Sequence, residues 1–436
     1  MATFTVTNLL DAGAGSFRDA IFQANSTAGA DEINFDNFLS GGTINLTSGE
    51  LGITDTLSIK GLGSNLLTVD AGGINRIFKI NDGNDSNFID VILTGLKITG
   101  GDTSGREDGA GGGIWNSENL KLTNNNISGN FAGGDYRDFN ASGGIDSVYG
   151  GGGIFNQGNL TIDNTVISNN SVSPDPRDLV LGGGVENFGS LTVTNSTISD
   201  NYAYGGAGGI SNRVGSTTVV NSTIAYNSTG DGTGGGITNR DDLTVINSTI
   251  FGNLGADGLG GGIENYGDLT LTSSTISGNF ANGAPGGGLQ NCGTATLTSN
   301  IIAGNEGNQD INGEFSECGV LISGGNNLIG NGDGVSGLIN GVNGDIVGTT
   351  ANPINPLLTT LRNNGGPTQT LALLPGSPAI NAGSNPLGLA TDQRGFNRSI
   401  GQTDIGAYER QAVPEPSSTM GLCTLAILGF TCWRKR

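Results

Sequence analysis

Short stretches in which apolar and polar residues alternate recur along the chain. In the segment 182–201, GGGVENFGSLTVTNSTISDN, Leu191 and Val193 alternate with threonines, which makes one face apolar with a period of two. Threonine, valine and isoleucine favour pleated strands, whereas many Gly and Asn residues weaken a helix. Asn195 follows the alternation, and asparagine tolerates the left-handed conformation of a sharp corner. The pattern predicts three short strands in this segment, separated by Asn and Gly corners.

The same unit is repeated in tandem seven times, with a basic period of 26 residues. An eighth, degenerate copy is expected in register, because Leu328 and Asn331 lie 26 residues after Ile302 and Asn305. The longer spacings come from 131–149 and 171–181, which are predicted to be inserted surface loops. The copies start at Gly111, Gly151, Gly182, Ala207, Gly234, Gly260 and Gly286.

One such unit cannot bury its apolar face alone, but stacked units place identical residues on top of one another. Stacked amides hydrogen-bond along such a ladder, so the asparagines are interpreted as structural rather than ligand-binding. The apolar columns are predicted to be Ile114, Ile154, Val185, Ile210, Ile237, Ile263 and Leu289, and Ile127, Ile167, Ile198, Ile224, Ile250, Ile276 and Ile302. The amide columns begin at Asn116 and Asn130 and recur in each copy.

The Gly-Gly-Ile and Ile-x-x-Asn elements of 111–331 resemble the repeats of polymorphic outer-membrane proteins and of pectate-lyase-like right-handed parallel β-helices. The resemblance implies an all-β solenoid, a right-handed parallel β-helix. The segments 41–81 and 91–101 look like earlier, less regular turns, so the β-helix is predicted to span 41–351. Residues 1–40 are assigned to an N-terminal strand and a capping helix.

The capping helix is predicted within 15–26, GSFRDAIFQANS. Ser16 and Asp19 form a capping box, and apolar residues recur at helical spacing. A helix here would cover the exposed core at the end of a stack of strands. The apolar positions are Phe17, Ala20, Ile21 and Ala24.

Composition changes at Asn352, where the repeat ends and proline and leucine become more frequent. Residues 352–410 resemble the choice-of-anchor domain of bacterial surface proteins, through NNGGPTQT (363–370), LLPGSPAINAG (373–383), TDQRG (391–395) and DIGAYE (404–409). The charged residues of these motifs are expected to form turns and caps rather than to catalyse a reaction. They are Asp392, Arg394, Asp404 and Glu409.

The tail, 411–436, combines a Val-Pro-Glu-Pro element, an apolar run from Met420 to Trp433 and a terminal basic cluster. It resembles the PEP-CTERM sorting signal, which implies processing by an exosortase-type enzyme and transient contact with the inner membrane of a Gram-negative bacterium. A helix of this run spans roughly 21 Å, less than the ~30 Å hydrocarbon core, and a plain tail anchor is the alternative. The signal residues are Val413, Pro414, Glu415, Pro416, Arg434, Lys435 and Arg436.

The expected location is therefore extracellular or on the cell surface. The N-terminal sequence MATFTVTNLLDAG shows no basic region followed by an apolar core, so no signal peptide is visible and the export route stays open.

The amino-acid composition excludes several kinds of catalytic site and partner. The 436 residues include 80 glycines, which the repeats place at corners and in loops, and no histidine. Without histidine there is no Ser-His-Asp or Cys-His nucleophile and no histidine-bearing zinc site. The net charge of −21 repels phosphate backbones, so nucleic acid is not an expected partner.

Cys292 and Cys318 are separated by 26 residues, one full period. They should stack on adjacent turns at a Cα separation that a disulfide accepts. A disulfide is predicted in an oxidising compartment, and a pair of buried thiols is the alternative.

An enzymatic interpretation is also open, because β-helices of this resemblance include lyases and hydrolases that cleave acidic glycans. Candidate catalytic residues on adjacent repeats are Arg213, Arg240, Asp242, Asp268 and Glu264. Calcium is the candidate cofactor, bound in the acidic segments 81–85 and 330–334 by Asp82, Asp85 and Asp333. Ordinary turn and surface roles explain the same residues.

Two functions are therefore carried forward. The first is a non-enzymatic cell-surface or secreted β-helix, adhesive or associated with the extracellular matrix, that binds glycans or extracellular polysaccharide. The second is a calcium-dependent polysaccharide lyase or hydrolase on the same scaffold.

Overall fold

The computed structural model describes residues 1–411, apart from 85, 107, 134–149, 173–181, 233, 257–259, 284–285, 308, 313–318 and 399–401. These residues form a right-handed parallel β-helix, as the repeats predict. Each turn of the helix, here called a rung, passes through three long parallel sheets, A, B and C, before returning to sheet A on the next rung. The fold class is thus confirmed.

Sheets A and B each have 12 strands. Sheet A contains Thr3–Val6, Asp31–Phe35, Leu57–Lys60, Asp90–Thr94, Asn119–Thr123, Asn159–Asp163, Ser190–Thr194, Ser216–Val220, Asp242–Ile246, Asp268–Thr272, Thr294–Thr298 and Val320–Gly325. Sheet B contains Gly42–Asn45, Leu67–Asp70, Lys97–Thr99, Asn126–Ser128, Val166–Ser168, Thr197–Ser199, Thr223–Ala225, Thr249–Phe251, Thr275–Ser277, Ile301–Ile302, Leu328–Ile329 and Ile346–Val347.

Sheet C has 10 strands, and a short sheet D of four strands lies between B and C. Sheet C contains Leu51–Ile53, Phe78–Ile80, Ile114–Asn116, Ile154–Asn156, Val185–Asn187, Ile210–Asn212, Ile237–Asn239, Ile263–Asn265, Leu289–Asn291 and Ile311–Asn312. Sheet D contains Phe131–Ala132, Ser171–Val172, Tyr202–Ala203 and Ser228–Thr229. The helices are Phe17–Asn25 and a 3₁₀ turn, Asn37–Leu39.

The predicted apolar columns are the core of the solenoid. Ile114 pairs with Ile154 in sheet C, and Ile127 pairs with Ile167 in sheet B, so both columns hold their register from rung to rung. Their side chains are fully buried. Because burying an isoleucine side chain contributes about 1.5–3 kcal/mol, a stack of such residues stabilises each rung through its neighbours.

The asparagine columns form hydrogen-bonded ladders, as predicted. The Asn130 Nδ2 donates to Asn170 Oδ1 at 2.9 Å and to the Ile98 carbonyl at 3.2 Å. Asn116 Nδ2 donates to Asn156 Oδ1 at 2.8 Å on the other corner. Both ladders satisfy buried backbone groups at corners where no strand partner is present.

The corners require special backbone conformations. Asn195 has φ +49°, which confirms the left-handed corner predicted from its sequence. The glycine runs serve a different purpose, because a Cβ on Gly262 would lie 2.5 Å from the Gly288 carbonyl oxygen of the next rung. Glycine is therefore required there for close packing of neighbouring rungs.

The predicted register of the eighth copy was wrong by one residue. The structure pairs Ile302 with Ile329, and Thr298 with Gly325, a separation of 27 rather than 26. A β-bulge at Gly324 adds the extra residue in the last strand of sheet A.

The N-terminal helix Phe17–Asn25 confirms the predicted cap. Ser16 Oγ accepts from Asp19 N at 3.2 Å, and Phe17 packs edge-to-face on Phe35 and Phe78, with ring centroids 5.0 and 6.1 Å away. The apolar face of the helix is buried against the interior of the first rungs. Upstream of residue 41, strands Thr3–Val6 and Asp31–Phe35 already belong to sheet A.

The described part of 352–411, here called the strap, lies along the outer face of sheet B. Thr223 Oγ1 donates to the Gln369 carbonyl at 2.6 Å, and Thr249 Oγ1 donates to Gln393 Oε1 at 2.6 Å. A second apolar cluster joins Ile301 of sheet B to the strap. The strap is thus packed against the side of the solenoid. Its members in this cluster are Leu373, Ala379 and Ile405.

Buried charges hold the strap together. Asp392 accepts from the backbone of Arg394 at 2.9 Å and of Glu409 at 3.0 Å, and it pairs with the Arg394 guanidinium at 2.6 Å. Arg398 donates to Asn247 Oδ1 at 2.9 Å, which ties the strap to a corner of the solenoid. The bond from the Arg394 backbone to Asp392 is a turn contact of the expected kind, whereas Arg394 and Glu409 are held in buried ion pairs.

The stack ends at residues 335–347, where Leu338 is buried against the core. Within the ranges that the structure describes, no helix is long and apolar enough to cross a membrane. The tail with Val413–Pro416 and Arg434–Arg436, including the predicted sorting helix, lies outside the described residues.

Candidate functional site: the outer face of sheet C

Two columns of side chains lie on the side of sheet C that faces away from the core. The middle residue of each strand points away from the core because strand side chains alternate between faces. The residue after each corner asparagine forms a second column beside the first, here called the rim column. The middle positions are Lys79, Trp115, Phe155, Glu186, Ser211, Thr238, Glu264 and Gln290, and the rim column comprises Ser117, Gln157, Phe188, Arg213, Arg240, Tyr266 and Cys292.

Aromatic rings lead into the rim column from its N-terminal side. Trp115 and Phe155 have ring centroids 6.2 Å apart, and Phe155 and Phe188 have centroids 5.6 Å apart. The Trp115 Nε1 donates to Gln157 Oε1 at 3.1 Å. Phe155 is only 2% exposed, whereas Trp115 and Phe188 are half-buried. The accessible edges of this row are therefore Trp115 and Phe188.

Two arginines occupy the centre of the rim column on neighbouring rungs. The Arg213 guanidinium carbon lies 5.6 Å from the Phe188 centroid, and that of Arg240 lies 4.9 Å from the Tyr266 centroid. The two arginines thus stand on adjacent strands, which are about 4.8 Å apart in a sheet, and each packs on the ring at its own end of the pair. Such an arrangement favours an anionic group that contacts both guanidinium groups.

A fully buried carboxyl, Glu186, lies next to this pair. Its Oε2 accepts from the Gly182 amide, and its Oε1 lies 4.0 Å from Arg213 Nε. Burial raises the pKa of Glu186 to about 8, although the charge of Arg213 opposes that rise. The group is therefore mainly protonated at neutral pH and does not cancel the arginine charges.

Glu264 lies at the other end of the arginine pair. It is fully buried, and its Oε1 accepts from the Tyr266 hydroxyl at 2.7 Å. Burial and this hydrogen bond raise the pKa of Tyr266. Tyr266 is thereby fixed beside Arg240, with 42% of its surface exposed to solvent.

A second cationic group borders the face at its N-terminal end. Lys79 Nζ lies 4.2 Å from the Trp115 centroid, and the buried Arg76 lies 4.9 Å from it. Arg76 pairs with Glu50 at 2.9 Å and with Asp108 at 3.4 Å. This network orients the tryptophan and leaves Lys79 partly exposed beside it.

The predicted catalytic residues divide between two places. Arg213, Arg240 and Glu264 belong to sheet C and its rim, as described. Asp242 and Asp268 pair with each other in register in sheet A, where both are exposed. The sequence correctly predicted that the two arginines stack and that the two aspartates stack. It did not show that the arginines lie beside sheet C and the aspartates in sheet A.

The carboxyls of this face are not arranged as a glycosidase pair. Glu186 and Glu264 are three rungs apart, or about 14 Å at the strand spacing of a sheet. Glycosidases use two carboxyls separated by about 5–9.5 Å. The arrangement therefore supports binding of an anion better than acid–base hydrolysis.

The calcium candidates have local structural roles. Asp82 Oδ1 accepts from Asn84 N, and Asp333 Oδ2 accepts from Thr350 N, each at 2.7 Å. Asp85 lies outside the described residues. Among the side chains that the structure describes, no three of Asp, Glu or Cys gather as metal ligands.

The predicted disulfide is not testable here, because Cys318 lies outside the described residues. Cys292 is the rim-column residue one rung after Tyr266 and is partly buried.

Sequence reasoning missed Trp115, Phe188, Tyr266 and Glu186. A signal was present, since each occupies the middle position of a Gly-Gly-Ile-x-Asn strand or the position after its asparagine. Reading outward-facing positions column by column, as was done for the core, would have found them.

Comparisons with known proteins identify no family. No family model matches the chain, and no curated protein matches it. Pectate lyase Pel9A has 15% identity and a TM-score of 0.46, with 94% of this chain and 97% of that chain covered. PfbA, a surface adhesin of Streptococcus pneumoniae, has 12% identity and a TM-score of 0.31, with 74% and 90% covered. Function has to be argued from the side chains.

Proposed function

We propose that the protein is a non-enzymatic, cell-surface or secreted β-helix, adhesive or matrix-associated, that binds acidic polysaccharide along the rim column beside sheet C. The observation that carries this proposal is the stacking of Arg213 and Arg240 between Phe188 and Tyr266. The guanidinium groups would bind carboxylates of the glycan, and the aromatic rings would pack on the apolar faces of its sugars.

Charge supports the choice of ligand. The chain as a whole carries a net charge of −21, so an acidic polymer is repelled except where cations are concentrated. Arg213 and Arg240 place two positive charges on neighbouring rungs of the rim column. Binding there is expected to weaken as salt rises, because the sites are partly exposed.

Binding and cleavage can be separated in one experiment. The purified protein is titrated with polygalacturonate and with alginate, with and without calcium, while binding and release of unsaturated sugars are followed. We expect binding without release, and a loss of about tenfold in affinity for Arg240→Ala, worth ~1.4 kcal/mol. Lys121→Ala, which removes an exposed cation from sheet A, is the matched control and should bind normally.

Two results would overturn this proposal. Release of unsaturated sugars that is lost in Arg240→Ala would establish the lyase instead. Equal binding by wild type, Arg240→Ala and Lys121→Ala would show that the arginine pair does not take part in binding.

We also propose that the tail from Val413 to Arg436 is a sorting signal processed by an exosortase-type enzyme during transient inner-membrane contact in a Gram-negative bacterium. Its support is the resemblance of the Pro-Glu-Pro element, the short apolar run and the basic end. Fractionation of a tagged protein with mass spectrometry of both mature termini tests it. An intact tail on a cytoplasmic protein contradicts it.

A further inference from the structure

A cleft of about 640 Å³ lies on a different surface, at the corner between sheets A and B near the N-terminal half of the solenoid. It is within the size range of small-ligand sites. None of the described residues that line it is charged. They are Gly63, Ser64, Asn65, Leu66, Asn124, Asn125, Asn126, Asn164 and Val166.

One wall of the cleft is built by an enlarged corner. Most rungs pass from sheet A to sheet B through two residues, such as 124–125, whereas 61–66 makes a six-residue loop. This loop packs closely on the neighbouring rung. A Cβ added to Gly61 would lie 2.4 Å from the Gly95 carbonyl oxygen, and a Cβ added to Gly95 would lie 3.1 Å from the Gly63 amide nitrogen. The wall is thus seated directly on backbone, and the loop overhangs the corners at Asn124 and Asn164.

The lining has the composition of a sugar site. Leu66 and Val166 are 46% and 39% exposed and offer apolar surface on the wall and the floor. Asn65, Asn124 and Asn164 are exposed; Asn164 Nδ2 donates to Asn124 Oδ1, which leaves Asn124 Nδ2 as a donor and Asn164 Oδ1 as an acceptor beside the amide of Asn65. Sugar rings present C–H faces together with hydroxyls, and an uncharged lining suits sugars without carboxylates.

The strap shows that this corner column binds polar chains. Further along the same column, Asn247 Nδ2 donates to the Thr391 carbonyl at 3.2 Å, and Asn326 Nδ2 donates to the Ala382 carbonyl at 2.9 Å. The first corner in contact with the strap is Asn221, whose carbonyl accepts from Thr368 Oγ1 at 3.1 Å. The amides at Asn124 and Asn164 continue this column towards the N-terminus, and there they are exposed.

We propose that this cleft is a second binding site, for a neutral saccharide of two to three sugar units. The ligand lies between Leu66 and Val166 and hydrogen-bonds to the amides of Asn65, Asn124 and Asn164. The site is separate from sheet C and takes a different chemical class of glycan, so it does not depend on the arginine pair.

The test uses the full chain and neutral oligosaccharides. Hexasaccharides of cellulose, xylan, mannan and starch are titrated by calorimetry and by ligand-detected NMR. Asn164→Gly removes one amide while keeping the positive φ of 45° available, and Leu66→Ala removes the apolar wall from the opposite side. Asn159→Ala is the matched control, because Asn159 is an exposed asparagine on the same rung that donates to Asn119 at 2.8 Å on another corner.

We expect at least one of the four sugars to bind, with affinity about tenfold weaker in Asn164→Gly and in Leu66→Ala and unchanged in Asn159→Ala. Arg240→Ala should also leave this binding unchanged, which separates the cleft from the acidic site. Absence of binding for all four sugars overturns the proposal. Binding that both cleft variants retain, or that Arg240→Ala abolishes, overturns it as well.

Discussion

At the scale of single residues, the ladder asparagines and the buried carboxyl of Glu186 have large effects on the free energy of unfolding. Each ladder asparagine serves two rungs at once, since it accepts from the rung before and donates to the rung after. Removing one therefore leaves unsatisfied groups on both sides, and such groups cost about 1–3 kcal/mol each when buried.

Asn253→Ala is expected to lower the free energy of unfolding by about 3 kcal/mol. Asn253 Nδ2 donates to Asn279 Oδ1 at 2.9 Å and to the Ile224 carbonyl at 3.0 Å, and its Oδ1 accepts from Asn227. Urea denaturation followed by circular dichroism measures the change. Asn159→Ala, at an exposed position, should change stability by less than about 0.5 kcal/mol. Equal losses in both variants would contradict the role of the ladder.

Glu186 should make stability depend on pH. Its pKa is about 8 in the folded chain and 4.5 as a free group, so the folded state binds the proton more tightly. Its contribution is complete below about pH 4.5 and is lost as pH rises through about 8. Denaturation midpoints between about pH 5 and 9 should fall in wild type more steeply than in Glu186→Gln, whose side chain does not titrate. Parallel profiles would exclude a raised pKa at this position.

At the scale of elements, the strap is the least regular part of the described chain and is held by specific polar contacts. The buried Gln393 bridges two rungs, donating to Thr223 Oγ1 at 3.0 Å and accepting from Thr249 Oγ1 at 2.6 Å. Its Nε2 also donates to the Ser222 carbonyl at 3.1 Å. This one amide thus joins the strap to sheet B.

Gln393→Ala is expected to loosen the strap without unfolding the solenoid, because the rung-to-rung ladders are untouched. Limited proteolysis should cut within 352–411 at least several times faster than in wild type, while the far-ultraviolet circular dichroism stays the same. Gln369→Ala, which truncates an exposed amide of the same strap, should be cut at the wild-type rate. Uniformly faster cleavage throughout the rungs would show that the change was not confined to the strap.

The sequence predicted those elements whose determinants are local or periodic. The columns of Ile127 and Asn130 and the cap at Ser16 follow from spacing, and all three are present. The bulge at Gly324 was missed, because an extra residue in a degenerate repeat leaves no periodic signal. The docking of the strap was also missed, since Gln393 and Thr249 are 144 residues apart and no pattern connects them.

At the scale of the whole molecule, stability is shared between neighbouring rungs, and the strap adds a second connection across several of them. It contacts corners from Asn221 to Asn326 and covers Ile301 and Leu328, which are fully buried. The rungs before Asn221 are stabilised by the apolar core, the asparagine ladders and the capping helix.

Truncation after residue 351 is expected to affect the two halves unequally. The rungs from Thr223 to Leu328 lose their cover and expose Ile301, so their amides should exchange hydrogen at least tenfold faster, a change of ~1.4 kcal/mol in opening free energy. Rungs before Thr197 should keep the exchange rates of the full chain. Hydrogen exchange with mass spectrometry checks this, and equal acceleration in both halves would contradict it.

The strap also fixes a length. Where rungs contact only their neighbours, a whole rung can be duplicated or lost with little disturbance, and the rod changes by one strand spacing of about 4.8 Å. Between Asn221 and Asn326, however, the strap bonds to the corners at Asn221, Asn247 and Asn326, so a rung added between these corners would move the contacts apart. The strap therefore opposes the insertion or loss of rungs in the C-terminal half. Variation in the number of rungs among descendants of this chain is expected to accumulate in the N-terminal half.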